Sequence, residues 1–295
     1  MTDDALFERV ALIGIGLIGS SLARRIKRDN LARHIVANAR TLATLDRVVE
    51  LGIADSVSID PAEAVAGADL VVICSPLGTY AAIGAAISDH LSEGAIVSDV
   101  GSVKGMVLRD LAPAVPSHAH LVPAHPVAGT EHSGPEAGFA DLFDGHWCIV
   151  TPDSGADAAA VERVAELWRR AGMKVDIMDA AHHDLVLAVT SHLPHLIAYN
   201  IVGTADDLEA VTKSEVIKYA AGGFRDFTRI AASDPVMWRD VFLNNREAVL
   251  EMLGRFTEDL AALQRAIRWS DGDALHDLFA RTRAIRRGII EAGQA

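Results

Sequence analysis

Residues Val10–Leu22 read VALIGIGLIGSSL, and this short stretch limits what the rest of the chain can be. Four apolar residues, Val10–Ile13, predict a short buried strand. Gly14, Gly16 and Gly19 follow in G-x-G-x-x-G spacing, with Leu17 and Ile18 between the last two, and the pattern then reads as helix to about Arg28. Each glycine has a separate job: Gly14 permits a tight turn, Gly16 lets backbone approach a pyrophosphate, and Gly19 lets helix and strand pack closely. The helix N-terminus would then offer free N–H groups and partial positive charge to the phosphates. Small residues at this spacing also occur in ordinary tight loops. Strand, glycines and helix in the required order favour dinucleotide binding.

The chain has 295 residues, with 40 acidic against 27 basic side chains and a formal net charge of −13. That balance argues against nucleic acid or an anionic membrane as partner, so an anionic small-molecule substrate must be held by local Arg, His and helix N-termini. Cys74 and Cys148 form neither a C-x-x-C pair nor a disulfide framework, which makes a reducing compartment the default. The acidic opening MTDDALFERV enters a strand with no room for a signal peptide, and no uninterrupted apolar run suggests a membrane span. A cytoplasmic protein is expected.

Short apolar runs recur through the first half at His34–Ala39, Ala68–Cys74, Ala95–Asp99, His120–Pro123, Trp147–Thr151 and Lys174–Met178. Helical patterns separate them at Thr41–Leu51, Pro61–Ala66, Thr79–Leu91, Val103–Leu111 and Ala158–Ala171. This alternation implies βαβ units in an α/β fold with a Rossmann-type, doubly wound parallel sheet. After Asp179 the strand signals stop, and apolar residues recur at helical spacing over Leu185–Ile201, Val236–Leu253, Phe256–Ile267 and Ala274–Ile290. Ser233-Asp234-Pro235 marks a helix start, a capping side chain followed by proline. The expected domains are therefore 1–178, binding the dinucleotide, and 179–295, all-α. Helices this apolar either pack on each other and the sheet or form a homodimer.

Cofactor choice turns on the end of the second strand, where an acidic residue about 20 positions after the last glycine holds the ribose hydroxyls of NAD. Here that region reads Val36-Ala-Asn-Ala-Arg-Thr41 and contains no carboxylate. Arg40, with Thr41 beside it, suits a 2′-phosphate, so NADP is favoured over NAD. Ser75 and Pro76, directly after the strand ending at Cys74, complete the expected cofactor-binding set.

Four segments carry the polar chemistry. Ser98-Asp-Val-Gly-Ser-Val-Lys104 follows a strand, where open α/β sheets bind ligands, and Ser102 is a candidate hydroxyl there or a helix N-cap. Pro123-Ala-His-Pro-Val-Ala-Gly-Thr-Glu-His-Ser-Gly134 contains His125, a candidate base for a hydroxyl proton as hydride leaves the same carbon. Glu131 and His132 lie nearby without metal-ligand spacing, and no metal is expected. In Ser191-His-Leu-Pro-His195, Ser191 and His195 share one helical face, and Pro194 should kink the helix against the Thr190 carbonyl. In Gly222-Gly-Phe-Arg-Asp-Phe-Thr-Arg229, leading to Trp238, Arg225 and Arg229 sit one turn apart, either one suited to clamp a carboxylate.

GIGLIGSSLA, SDVGSVK, AHPVAGTEHSG, SHLPH and GGFRDFTRIAASDPVMWRDVF, in this order, resemble the prephenate/arogenate (cyclohexadienyl) dehydrogenase family of tyrosine biosynthesis. The resemblance spans residues 10–242. It implies an NAD(P)-dependent oxidative decarboxylation with His125 as proton acceptor and Ser102 orienting both substrate and base. It further implies that Ser191 and His195 line the substrate site, that Arg229 rather than Arg225 binds a carboxylate, and that Glu131 and Trp238 lie near that pocket. The C-terminal helices would be the dimerisation domain. No chorismate mutase segment is expected before the first strand and no βαββαβ regulatory module after the last helix, so feedback by tyrosine would act at the active site. A dehydrogenase of the β-hydroxyacid type resembles this organisation too, but its catalytic lysine has no counterpart motif at Lys174, Lys213 or Lys218. A non-catalytic NADP sensor on the same fold would need neither His125 nor Arg229.

Overall fold

The structure, a computed structural model, describes residues 5–207 and 218–291. Lys213 lies outside them. The chain opens with β1 (Phe7–Ile13), α1 (Leu17–Asp29), β2 (Ala32–Asn38), α2 (Leu42–Glu50), β3 (Ser56–Ser58), α3 (Pro61–Val65) and β4 (Leu70–Ile73). It continues with α4 (Tyr80–Ile87), β5 (Ile96–Asp99), α5 (Lys104–Leu111) and β6 (His120–Leu121). These strands form one parallel sheet in the order β3-β2-β1-β4-β5-β6, with Val10 level with Ile35 on one side and Leu70 on the other. The order reverses beside β1, which opens the crevice where doubly wound sheets bind ligands.

The alternation of side chains along β1 assigns its residues to two cores. Val10 and Leu12 pack with Ile35, Leu22, Ile26 and Trp168 on one face. Ala11 and Ile13 pack with Val71, Ile73, Tyr80 and Met106 on the other. The second core also takes in Trp238 and Val241, so a helix late in the sequence is seated on the sheet unit.

The apolar runs WCIVT and KVDIM do not continue the parallel series as their pattern predicts. They form β8 (Trp147–Val150) and β9 (Lys174–Ile177) of a separate sheet, joined by β7 (Ala124–Pro126). β7 runs antiparallel to β8, with His125 level with Ile149, and β8 and β9 run parallel. The chain changes sheet at Pro123: Val122 N–H still donates to Val97 in the first sheet, and the Pro123 carbonyl accepts from Thr151 in the second. Two prolines without N–H groups, Pro123 and Pro126, end the first ladder and keep the second strand short. The three-residue β3, at the sheet edge, is also absent from the sequence pattern.

Between β8 and β9 lies α6 (Ala158–Arg170), and β9 is followed by α7 (Ala180–Leu187), each capped by an aspartate, Asp157 and Asp179. A π-helical segment, Ala188–His192, leads into α8 (Leu193–Asp207). The predicted disturbance at Pro194 takes this form: the missing N–H and the ring bulk are accommodated by widening the turn ahead of it. The run 180–207 is long and apolar enough by length and composition alone to cross a membrane. In this fold it carries buried His183, Asp184 and His192, hydrogen-bonded to α5 and to Asn245. After α9 (Gly222–Thr228), α10 (Pro235–Asn244) starts where the sequence signals it, Asp234 accepting from the N–H groups of Val236 and Met237.

By compactness the described chain divides at 246/247. The second unit holds most of α11 (Arg246–Arg268) and all of α12 (Gly272–Glu291), joined by a turn in which Ser270 adopts a left-handed conformation. Leu250, Leu260, Ile267, Trp269, Phe279 and Ile285 are exposed on it.

Candidate active site

The glycine turn is shaped as its spacing predicts. Gly14 has φ of +99°, and a Cβ there would meet Ser75 N at 2.8 Å. At Gly19 a Cβ would overlap the Gly14 carbonyl, so helix and turn touch backbone to backbone. A Cβ at Gly16 would meet nothing within 4 Å. Gly16 is also the N-cap of α1 and provides no side-chain partner, so the first-turn N–H groups at Leu17 and Ile18 face an open approach. This cradle fits a pyrophosphate.

The other cofactor-side candidates divide. Thr41 caps α2 by accepting from Thr44 N–H, while Arg40 stands exposed beyond β2. Ser75 shares a 2.9 Å hydroxyl contact with Thr79, and Pro76 precedes the short turn Leu77–Thr79.

His125 sits in β7 at 8% exposure. Its Nδ1 lies 2.9 Å from Nε2 of His183, whose Nδ1 lies 2.8 Å from Oδ1 of Asp184. Burial holds the His125 pKa well below that of an ordinary histidine, with the Lys104 charge acting in the same direction. Burial also lowers His183, with Asp184 opposing, and brings His192 down to about 4. These groups are therefore neutral near pH 7, the state a proton acceptor needs.

Ser102 is held in the loop after β5. The N–H of Gly101 donates to Asp99 Oδ2 at 2.7 Å, and the N–H groups of Lys104 and Gly105 donate to the Asp184 carboxylate at 2.7 and 2.8 Å. Asp184 thus takes the helix-capping role the sequence offered to Ser102, and the N-cap residue is Val103 without a side-chain bond. Asp99 and Lys104 form a fully buried ion pair at 2.6 Å. The same pair grips Ala124: Lys104 Nζ donates to its carbonyl at 2.7 Å and Asp99 Oδ1 accepts its N–H at 3.2 Å. One buried cluster consequently fixes both the Ser102 loop and the residue preceding His125.

The helical residues make a second, more open wall. His195 stacks on Trp238 with ring centroids 3.6 Å apart, and its Nδ1 bonds the Ser191 carbonyl at 2.9 Å. Ser191 and His195 do share a face, but through backbone rather than the hydroxyl. Burial, with the Arg229 charge adding to it, lowers His195. Arg229 Nη1 lies 3.4 Å from Glu131 Oε2, joining two candidates 98 positions apart. Glu131 is held below the usual carboxylate range by its own backbone N–H first, then by His132 and Arg229. Arg225 points to solvent and pairs with Asp226. Trp238 Nε1 is buried without a hydrogen-bond partner among the described residues. No group of three or more His, Cys, Asp or Glu is placed to hold a metal among the described residues.

Asp99, Lys104, His183 and Asp184 were not among the sequence candidates. Asp99 and Lys104 both belong to the Ser102 motif, and His183 and Asp184 directly precede the apolar run that begins at Leu185, with no local signal of their buried partners.

The family model for the prephenate dehydrogenase nucleotide-binding domain matches residues 22–177, and that for the prephenate dehydrogenase dimerization domain matches 179–281. Cyclohexadienyl dehydrogenase of Zymomonas mobilis is 41% identical over 284 residues, covering 96% of this chain and 97% of the relative. Prephenate dehydrogenase of Bacillus subtilis is 30% identical over 283 residues, covering 96% and 76%. Among solved structures, A. aeolicus prephenate dehydrogenase in complex with hydroxyphenyl propionate and NAD+ superposes with a TM-score of 0.89 at 34% identity, covering 96% of this chain and 98% of that one.

Proposed function

The chain belongs to the prephenate dehydrogenase family, nicotinamide-dependent oxidoreductases of tyrosine biosynthesis, and from that premise we propose how its own residues divide the work. The substrate is a cyclohexadienyl acid, prephenate or arogenate, and the reaction is oxidative decarboxylation to 4-hydroxyphenylpyruvate or tyrosine. A nicotinamide dinucleotide, when bound on the glycine cradle, supplies the hydride acceptor. Gly14, Gly16, Leu17, Ile18 and Gly19 receive its pyrophosphate, with Ser75 and Pro76 beside them. Exposed Arg40, next to Thr41, offers a guanidinium to a 2′-phosphate and supports NADP over NAD.

His125 accepts the proton of the ring hydroxyl as hydride leaves the carbon that bears it. The observation carrying this role is its burial with Nδ1 already engaged by His183, which leaves Nε2 as the ring atom for the substrate. Ser102, in its pinned loop, orients the hydroxyl. Arg229 binds a substrate carboxylate in exchange for its contact with Glu131, while Ser191, His195 and Trp238 wall the ring. Loss of the ring carboxylate as CO2 leaves its bonding pair to complete the aromatic ring, and the phenolate oxygen so formed takes the proton back from His125.

Residues 1–178 would serve the cofactor, and 179–295 the substrate and a homodimer. The exposed apolar side chains of α11 and α12 suit burial against a second copy. Two free cysteines, Cys74 and Cys148, suit a cytoplasmic setting.

The test is absorbance at 340 nm with prephenate or arogenate, each supplied with NAD or NADP. Reduction with a cyclohexadienyl substrate, faster with NADP, is the expected result. No reduction in any combination, from protein that binds the cofactor, would overturn the reading.

A further inference from the structure

Beyond the roles above, and resting on His125 as the base, we infer that His183 and Asp184 are positioning residues that select the His125 tautomer and stabilise its protonated form. The hydrogen bonds impose the order of protons. Asp184 accepts the backbone N–H groups of Lys104 and Gly105, neither of which can be anything but a donor. Its carboxylate is therefore fixed as an acceptor at Oδ1, and His183 Nδ1, 2.8 Å away, carries the hydrogen. A neutral imidazole protonated at Nδ1 has its lone pair on Nε2. That atom faces His125 Nδ1 at 2.9 Å, so His125 must donate there and keep its own lone pair on Nε2.

Had His183 been protonated on both nitrogens, it would donate to His125 Nδ1, force the hydrogen onto His125 Nε2 and abolish the base. Full burial of His183 opposes that state. The groups facing the pair come from four elements: Asp184 on α7, Lys104 on α5, Asp99 at the end of β5 and His192 in the π segment. Lys104 is matched by Asp99, and His192 is neutral near pH 7. Asp184 is thus the charge left to face an imidazolium on His125 through the polarised ring of His183. The proton taken by His125 rests on Nε2 until the product oxygen takes it back, and Asp184 remains a carboxylate throughout.

The same aspartate caps α5 and so sets the Ser102 loop. A backbone-fixed carboxylate therefore aligns the hydroxyl and the base together.

The experiment compares wild type, His183→Leu and His183→Gln in the full chain, following kcat and kcat/KM against pH with a saturating cofactor, and the cofactor KM by varying the cofactor at one pH. A leucine removes the acceptor facing His125 Nδ1. A glutamine replaces it with a carbonyl but loses the link to Asp184. His183→Leu should lower kcat about 10²-fold, within the range for general-base catalysis. Its acid limb should move to lower pH, because an unsupported His125 protonates less readily, while KM for the cofactor stays within about 2-fold of wild type. His183→Gln should recover part of kcat but only part of the limb position, the remainder being the lost link to Asp184. Equal losses in both variants with an unmoved limb, or a limb moved to higher pH, would overturn the inference. A His125→Asn enzyme with normal turnover and an unchanged profile would instead remove the base reading on which the inference rests.

Discussion

Two charged arrangements carry the proposed roles, and they differ in what holds them. The chain His125–His183–Asp184 and the Asp99–Lys104 pair are buried, and apart from His125 Nε2 their side-chain polar atoms are held by fixed backbone or side-chain partners. The Arg229–Glu131 pair is exposed, spans 3.4 Å and rests on a short helix and a loop. Burial makes the first arrangement stiff and sensitive to any missing partner. Exposure makes the second weak as a structural bond and free to exchange Glu131 for a substrate carboxylate. Chemistry is assigned to the part that cannot move, and recognition to the part that can.

The sharpest way to break this contrast is to remove one member of each pair. Lys104→Met leaves Asp99 buried without its cation and should destabilise the fold by about 3–5 kcal/mol in urea unfolding. The same measurement on Arg229→Ala should show less than about 1 kcal/mol. Comparable losses in the two variants would erase the distinction.

Acid provides a second contrast, with a defined sign. His192 has a folded pKa near 4, below its ordinary 6.5, so the unfolded chain binds its proton first as pH falls. Its contribution is complete above pH 6.5 and is lost as pH drops toward 4, on the order of 3 kcal/mol in all. His125 and His183, also lowered, add in the same direction. The melting temperature should fall through that window, and His192→Asn should flatten the fall. A flat profile in the wild type would contradict the buried-neutral description.

The open wall should answer differently. Arg229→Ala should raise the substrate KM about 10- to 100-fold with little change in kcat, as expected for a lost charge-assisted pair. If Arg225→Ala alone does so, the clamp is the other arginine. Smallest in reach is Arg40→Ala, which should raise the NADP KM about 10-fold and leave NAD use unaltered. An equal change with both cofactors would argue against a 2′-phosphate contact.

How much of this was legible in the sequence follows the same division. The glycine turn and the β1, β2, β4 and β5 runs are local signals, since a period-two apolar run and a backbone constraint act within a few residues. The second sheet was not legible, because WCIVT and KVDIM look the same whichever strand they pair with, and Pro123 redirects the chain only in three dimensions. His125, Ser102 and Arg229 stand in polar motifs between apolar elements and could be named. His183 and Asp184 could not, because their partners lie 58 and 80 positions away and a polar pair on a helix reads first as a solvated face. Ser102 as a helix cap failed for that reason too: the cap is a carboxylate from another helix.

The most direct test of the account is the steady-state comparison of wild type with His125→Asn on the preferred substrate and cofactor. The account predicts kcat lower by about 10²–10⁴-fold, with the cofactor Kd and the substrate KM within a few-fold of wild type. A His125→Asn enzyme that turns over at the wild-type rate, or one that fails only through weakened substrate binding, would contradict it.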